Sequence, residues 1–200
     1  MKMFLFWNRK KREGNGKRIY GIKWGEHIDK QQMEIIACEL QNIFQKTASR
    51  EIVILCIGSD LSIGDSLGPL VGTILEEKQV PYHVYGTLKE PVHAQNITNI
   101  VNKIHKRFKD PFIFSIDASL GKNSEIGYIS LEEGPLTPGK ALKRNLPNVG
   151  DYHIKAIVNE IDPSSPTKFL KETRLYMVMN LSKIIAEMIV QTAALKSPCK

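Results

Sequence analysis

An α/β fold built on a mostly parallel sheet, with helices on both faces, is predicted by three observations. Apolar runs of strand length alternate along the chain with stretches of three- and four-residue apolar spacing. Two of the runs, Ile52-Val53-Ile54-Leu55 and Phe112-Ile113-Phe114-Ser115-Ile116, are apolar almost throughout, as strands covered on both faces are. The loop after the first run and the end of the second carry carboxylates, Asp65 and Asp117. Ligands of open α/β sheets bind at the carboxyl ends of strands, so the third observation concerns function as well as fold.

The elements follow in order. From Asp29, Met33, Ile36, Ala37, Leu40, Ile43 and Phe44 make one apolar helical face. Residues 52–57 are the first strand. A loop leads to a helix from about Ser66 to Lys78, with Gly68-Pro69 in its first turn, where proline lacks only an N–H that would be unpaired anyway. Residues 83–88 read as a second strand and residues 95–108 as a helix with Ile97, Ile100, Val101, Ile104 and Phe108 inward. Residues 112–117 form the third strand, and residues 127–131 a short antiparallel edge strand. The stretch 134–150 is rich in glycine and proline, with a helix start at Thr137-Pro138. Residues 154–158 form the next strand, and a long helix runs from a Thr173 cap to about Gln191. Its inner face is Leu175, Val178, Met179, Leu181, Ile185, Met188 and Ile189, with the methionines as core filling.

The chain has 200 residues and a formal charge of +7. Residues 1–25 hold eight basic side chains and one acidic one, which accounts for the whole excess. The expected organisation is a basic, flexible extension over residues 1–27 and a single α/β domain over 28–195. A neutral body argues against a specific nucleic-acid partner. Met3-Phe4-Leu5-Phe6-Trp7 is too short to span a bilayer and precedes its basic residues, unlike a secretory signal, so no transmembrane segment is expected. Cys38 and Cys56 read as small core residues in a reducing cytoplasm, and Cys199 stands apart near the end. The oligomeric state is left open.

The chemistry concentrates in a few short segments. Gly58, Gly64 and Gly68 bracket Asp65 in a loop that also holds Ser59 and Asp60. Glycine permits tight turns and close approach by a ligand, whereas the same loop also suits a helix cap for Asp65 and an Asx-type turn for Asp60. The spacing fits neither the dinucleotide fingerprint nor a nucleotide phosphate loop. Asp117 closes a strand expected to be central, where an unpaired carboxylate is costly and needs a ligand, a proton or donors. Ser119 follows it. Asp65 and Asp117 on adjacent strands could share one proton and activate water, or bind a divalent metal together. Glu90 and His93 follow the second strand. With the two aspartates they make a mixed oxygen and nitrogen set suited to zinc, nickel or manganese, in which Asp65, Asp117 and His93 are the ligands. A turn or helix-cap role for His93 stays open, and His153, at the start of a strand, reads as structural. No serine lies in a nucleophile elbow.

The loop Gly58-Ser59-Asp60-Leu61-Ser62-Ile63-Gly64-Asp65-Ser66-Leu67-Gly68-Pro69 resembles that of the hydrogenase maturation endopeptidases and the spore germination protease. The latter is also similar at Ile116-Asp117-Ala118. Over about residues 50–190 the chain most resembles the YyaC-type sporulation proteins. The segments that carry this likeness are the first loop, 86–94, 116–121 and 149–159. The resemblance implies a three-layer α/β/α sandwich of the phosphorylase/hydrolase-like kind, and a cytoplasmic place in mother cell or forespore. It also implies two acids at the positions of Asp65 and Asp117, which hold the target's nickel in the maturation enzymes and act as a metal-free pair in the germination protease. The histidine of the maturation enzymes comes from a later loop, and residues 132–150 contain none here. The expected function is a sporulation-associated, aspartate-dependent peptidase acting on a protein or peptide. Its substrate would meet Gly58, Ser59, Asp60, Gly64, Glu90, His93 and Ser119. The alternative is a non-catalytic sporulation factor that binds a protein or peptide in the same crevice.

Overall fold

The computed structural model describes residues 17–25, 30–47, 49–139, 146–161 and 172–195. Six strands form one sheet: β1 (Lys17–Lys23), β2 (Ile52–Cys56), β3 (His83–Tyr85), β4 (Phe112–Gly121), β5 (Tyr128–Glu133) and β6 (Tyr152–Glu160). Their order is β1-β5-β6-β4-β2-β3. The pairs β2–β3, β2–β4 and β4–β6 are parallel, while β1–β5 and β5–β6 are antiparallel. The helices are α1 (Lys30–Lys46), α2 (Leu67–Glu77), α3 (Ile97–Arg107) and α4 (Leu175–Ala194).

Strand alternation sorts the core between the two faces of the sheet. Ile54, Cys56, Phe112, Phe114, Ile116, Ile154 and Ala156 join α1, α2 and α4 in the larger apolar cluster. Val53, Leu55, Ile57 and Ile113 join Ile97 and Ile104 of α3 in the smaller one. The protein is thus a mixed α/β fold with helices against both faces of a central sheet. This handedness of placement follows from the strand order. The chain leaves β2 for β3 on one side, then crosses back over β2 to reach β4, so α2 and α3 fall on opposite faces. The carboxyl ends of β2 and β4 therefore flank the point where the order reverses, the usual binding crevice of such sheets.

Several expectations need correction. The extension drawn through residue 27 is too long, because Lys17–Lys23 form β1 and pair antiparallel with β5. Ile22 is buried, and Trp24 donates its backbone N–H to Gly127 O (2.9 Å) and meets the Tyr176 ring edge-on (centroids 6.2 Å apart). Residues 1–16 lie outside the described residues. β5 is consequently not an edge strand. The second strand stops at Tyr85, where Gly86 turns the chain with φ +88. β4 runs past Asp117 to Gly121, because β6 continues to pair with it. The phase of α4 differs too. Met177, Ser182 and Ile184 are buried, while Leu175 and Met179 are exposed, and Arg174 rather than Thr173 precedes the helix. No helix starts at Thr137-Pro138, where Pro138 and Gly139 form a turn, and residues 140–145 lie outside the described residues. Cys38 is half-buried and disulfide-bonded rather than a free core thiol. Cys56 is free and wholly buried, which pushes its thiol pKa up and keeps it unreactive.

Candidate active site

The loop after β2 is built by backbone contacts that explain its glycines. Gly58 has φ +143, and a Cβ there would fall 2.0 Å from Asp65 O. A Cβ on Gly68 would fall 2.1 Å from Ile57 O, so α2 starts directly against the end of the strand. Gly58 N donates to Val92 O (2.8 Å) and Ser59 N to Asp65 O (3.1 Å), closing the loop into a ring around Asp65. Ile63–Asp65 form a short 3-10 turn, with Asp65 N donating to Ser62 O (3.0 Å). Ser66 takes the cap position of α2, yet its hydroxyl donates back to Ile63 O (2.9 Å) instead of capping the helix. The turn role expected of Asp60 falls to Ser59, whose Oγ accepts from Leu61 N (3.2 Å), and Asp60 is exposed.

Asp117 stands on β4 one position beyond the last pairing of β2, Cys56 with Ile116. The neighbouring strand has ended there, so the aspartate lines the crevice while remaining only 9% exposed. Burial, and next to it the charge of Asp65, hold its carboxyl well above the ordinary carboxylate range. The backbone N–H of Ala118 and the Lys155 ammonium oppose that rise without cancelling it. The two aspartates that the sequence singles out are thus electrostatically coupled across the reversal point of the sheet.

The remaining sequence candidates sit around this pair in different ways. Val92 bridges Ile57, which brings residues 90–93 alongside the first loop. His93 is half-buried and serves a turn at the start of α3. Its N–H donates to Asn96 Oδ1 (2.8 Å), and its Nδ1 accepts from Gln95 N (3.3 Å). Glu90 is exposed, with its backbone N–H held by Thr87 Oγ1 (3.1 Å). Ser119 is half-buried and donates to Leu120 O at 3.4 Å. Gly64 is buried beneath the loop. Among the described residues, no group of three or more His, Cys, Asp and Glu stands in a position to hold a metal ion.

A second polar cluster, on the same face of the sheet, escapes sequence reading. Lys155 of β6 pairs in register with Asp117 on one side and Ser130 on the other. Its Nζ lies 3.0 Å from Glu132 Oε2. Ser130 Oγ donates to Glu132 Oε1 (2.8 Å), and His153 Nε2 lies 3.4 Å from Glu132 Oε2, too far for a good hydrogen bond. His153 Nδ1 donates to Gly134 O (2.8 Å). Burial alone would raise the Glu132 carboxyl, but His153, Lys155 and Ser130 outweigh it and carry the pKa down to about 2. His153 is thus structural in its contacts, as read, but it lies inside β6, two positions before Lys155 on the face that bears Asp117. The signal was present in the alternation of Ser130 and Glu132 with Ile129 and Leu131, and of His153 and Lys155 with Ile154 and Ala156. Polar residues at every second position of a covered strand mark a buried polar face.

The kinship of the chain agrees with its motifs. It is 44% identical over 162 residues to the "Uncharacterized protein YyaC" of Bacillus subtilis (strain 168), covering 80% of this chain and 78% of that one. Among solved structures it is similar to the [NiFe] hydrogenase maturation protease HycI from Thermococcus kodakarensis KOD1. That match has a TM-score of 0.48 and 18% identity, over 72% of this chain and 93% of the other. A family described as "Protein of unknown function (DUF1256)" matches residues 25–188. The chain belongs to the DUF1256 family.

Proposed function

We propose that this protein is a sporulation-associated peptidase whose acid–base pair is Asp65 and Asp117. The observation that carries the reading is the burial of Asp117 beside the charge of Asp65, which favours one shared proton between them. The motif resemblance to peptidases with acids at these two positions supports it, and that resemblance carries with it the expectation of a three-layer α/β/α sandwich. In the mechanism, Asp117 holds the proton and Asp65 is ionised. Water attacks the peptide carbonyl carbon and gives its proton to Asp65, while Asp117 protonates the carbonyl oxygen. The tetrahedral diol then collapses. Its C–N bond breaks, Asp65 returns its proton to the departing amine, and a hydroxyl proton goes back to Asp117. Gly58, Ser59, Asp60, Gly64 and Ser119 border the substrate, and Glu90 and His93 orient it from the adjoining segment.

The test is purified protein added to extract of sporulating cells, read by mass spectrometry of new peptide termini. Cleavage that disappears in Asp65→Asn and Asp117→Asn supports the reading. Cleavage that persists in both, or that a serine or cysteine reagent stops, rejects it. Activity should hold from acid to neutral pH and fail on the alkaline side as Asp117, whose carboxyl is held above the ordinary carboxylate range, loses its proton. A divalent metal, whether zinc, nickel or manganese, is a separate part of the proposal with Asp65, Asp117 and His93 as its ligands. Calorimetry with each ion on metal-free protein checks it, and no step above runs through a metal. The protein would act in the cytoplasm of mother cell or forespore. Among the described residues no helix is long and apolar enough to cross a membrane.

A second reading, a sporulation factor that binds a protein or peptide without turnover, is favoured by Leu61 and Ile63, exposed apolar side chains on the loop that carries Asp65. Binding without new termini under any pH or metal condition would select it.

A further inference from the structure

The chain has three cysteines, at 38, 56 and 199, and the structure separates their chemistry. Cys56 stands on β2, wholly buried in the larger apolar cluster, and its thiol is free. Cys38 stands on α1, half-buried, and is disulfide-bonded. A free thiol is nobody's partner, so within one chain the arithmetic leaves Cys199, which lies outside the described residues.

The end of α4 brings that partner within reach. Thr192 Oγ1 donates to Ala37 O (3.1 Å), and Gln41 Nε2 donates to Leu195 O (2.8 Å). Both donor side chains are buried, which makes each bond costly to lose. Together they seat the end of α4 along the turn of α1 that carries Cys38. Cys38 and Gln41 are three residues apart, hence neighbours on the helix surface, separated by about 4.5 Å along its axis. Cys199 follows Leu195 by four residues, a length of chain that spans up to about 13 Å. A second copy would have to bring its thiol from solution, whereas the chain's own end is already held beside Cys38 at high effective concentration. Disulfides that form in a reducing compartment are transient or redox-sensing. Half exposure opens Cys38 to exchange, as the complete burial of Cys56 does not.

We propose that Cys38 and Cys199 form a reversible disulfide that fastens the end of the chain to α1, made by exchange with a small-molecule disulfide. One protein thiolate attacks a sulfur of that molecule and releases one small thiol, leaving a mixed disulfide. The second protein thiolate then displaces the other small thiol and closes the bond. Two protein thiols are oxidised, one small disulfide is reduced to two thiols, and the two protons pass from the protein thiols to the released ones. The closed loop takes in most of the chain, so the bond restrains the unfolded state strongly. The inference stands apart from the proposed function. The test uses full-length wild type, Cys38→Ser and Cys199→Ser, each treated with glutathione disulfide or dithiothreitol and then with N-ethylmaleimide. Unreduced tryptic digests of oxidised wild type should contain residues 31–46 linked to 197–200. Cys56 should be labelled only after unfolding. The thermal midpoint of oxidised wild type should exceed that of the reduced protein by about 5 °C or more, with no such gap in either variant. Labelling of Cys38 in the folded, oxidised protein, a linkage to Cys56, or a covalent dimer that survives in Cys199→Ser overturns the proposal. So does a linked peptide without a change in midpoint, since the bond then fastens nothing.

Discussion

Asp117 and Glu132 lie on the same face of one sheet, on β4 and β5 with β6 between them, and Lys155 of β6 is in register with Asp117 and with Ser130. Both carboxyls are buried, at 9% and 7% exposure. Their pKa values nonetheless move in opposite directions, up for Asp117 and down to about 2 for Glu132. The difference lies in partners. Glu132 has an ammonium, an imidazole and a hydroxyl; Asp117 has a second carboxylate nearby and only Ala118 N–H and a Lys155 already engaged elsewhere. Burial is common to both, so burial alone does not distinguish a structural acid from a working one. An acid whose surroundings satisfy its charge holds the fold, whereas one left short of compensation is available to hold and release a proton.

The comparison breaks most directly by removing each acid in turn. Asp65→Asn or Asp117→Asn should lower the cleavage rate by about 10²–10⁴-fold, whereas Glu132→Gln should leave most activity in the protein that remains folded. Stability should show the reverse order. Glu132→Ala leaves Lys155 and His153 facing a buried void without their carboxylate, and such a loss typically costs about 3–5 kcal/mol, measured by denaturant unfolding at neutral pH. Deletion of residues 1–25 should also destabilise, by several kcal/mol, because it strips β1 from the outer side of β5 and takes buried Ile22 out of the core. An unchanged thermal midpoint after that deletion would show that β1 contributes nothing to the Glu132 side of the sheet.

Acid unfolding sharpens the contrast. A carboxyl with a depressed folded pKa contributes stability above its unfolded value and loses it as the pH falls through the folded one. For Glu132 the window runs from 4.5 down to about 2. Up to about 3 kcal/mol should vanish across it, and Glu132→Gln should flatten that limb of the stability curve.

Parts of this arrangement were legible in the sequence, and for a physical reason. The inner face of α1 is a local pattern, and six of its buried residues, Met33, Ile36, Ala37, Leu40, Ile43 and Phe44, follow from helical spacing alone. Asp65 and Asp117 were visible because each lies at or near the end of an apolar run, and strand ends are local signals too. The Glu132, His153 and Lys155 cluster was not visible as a cluster. Its members meet only because β6 inserts between β5 and β4, an order set by tertiary packing rather than by any one segment. β1 was hidden for a different reason. Its apolar residues, Ile19, Tyr20 and Ile22, are few and stand among Lys17, Arg18 and Lys23, so charge obscured a strand whose stability comes from pairing with β5. Trp24, the large aromatic at its end, marks where the chain meets the body, against Gly127 and Tyr176.

The smallest expected effect separates the two acids by sign. Asp117 carries a raised pKa, so between its ordinary value and its folded one the native state holds a proton that the unfolded chain has released. Native stability therefore falls as the pH rises through that window, the opposite of the Glu132 limb. Asparagine is nearly isosteric, needs no proton to stay neutral, and removes the repulsion with Asp65. Asp117→Asn should therefore raise neutral-pH stability by about 1 kcal/mol, with the gain shrinking toward pH 4, while the proposed cleavage falls. Denaturant midpoints of wild type and variant at several pH values check this. A variant less stable than wild type at neutral pH would mean that the Asp117 carboxylate is satisfied after all, by Lys155 and the Ala118 N–H. The distinction between the two acids would then collapse, and with it the ground for assigning the working role to Asp117.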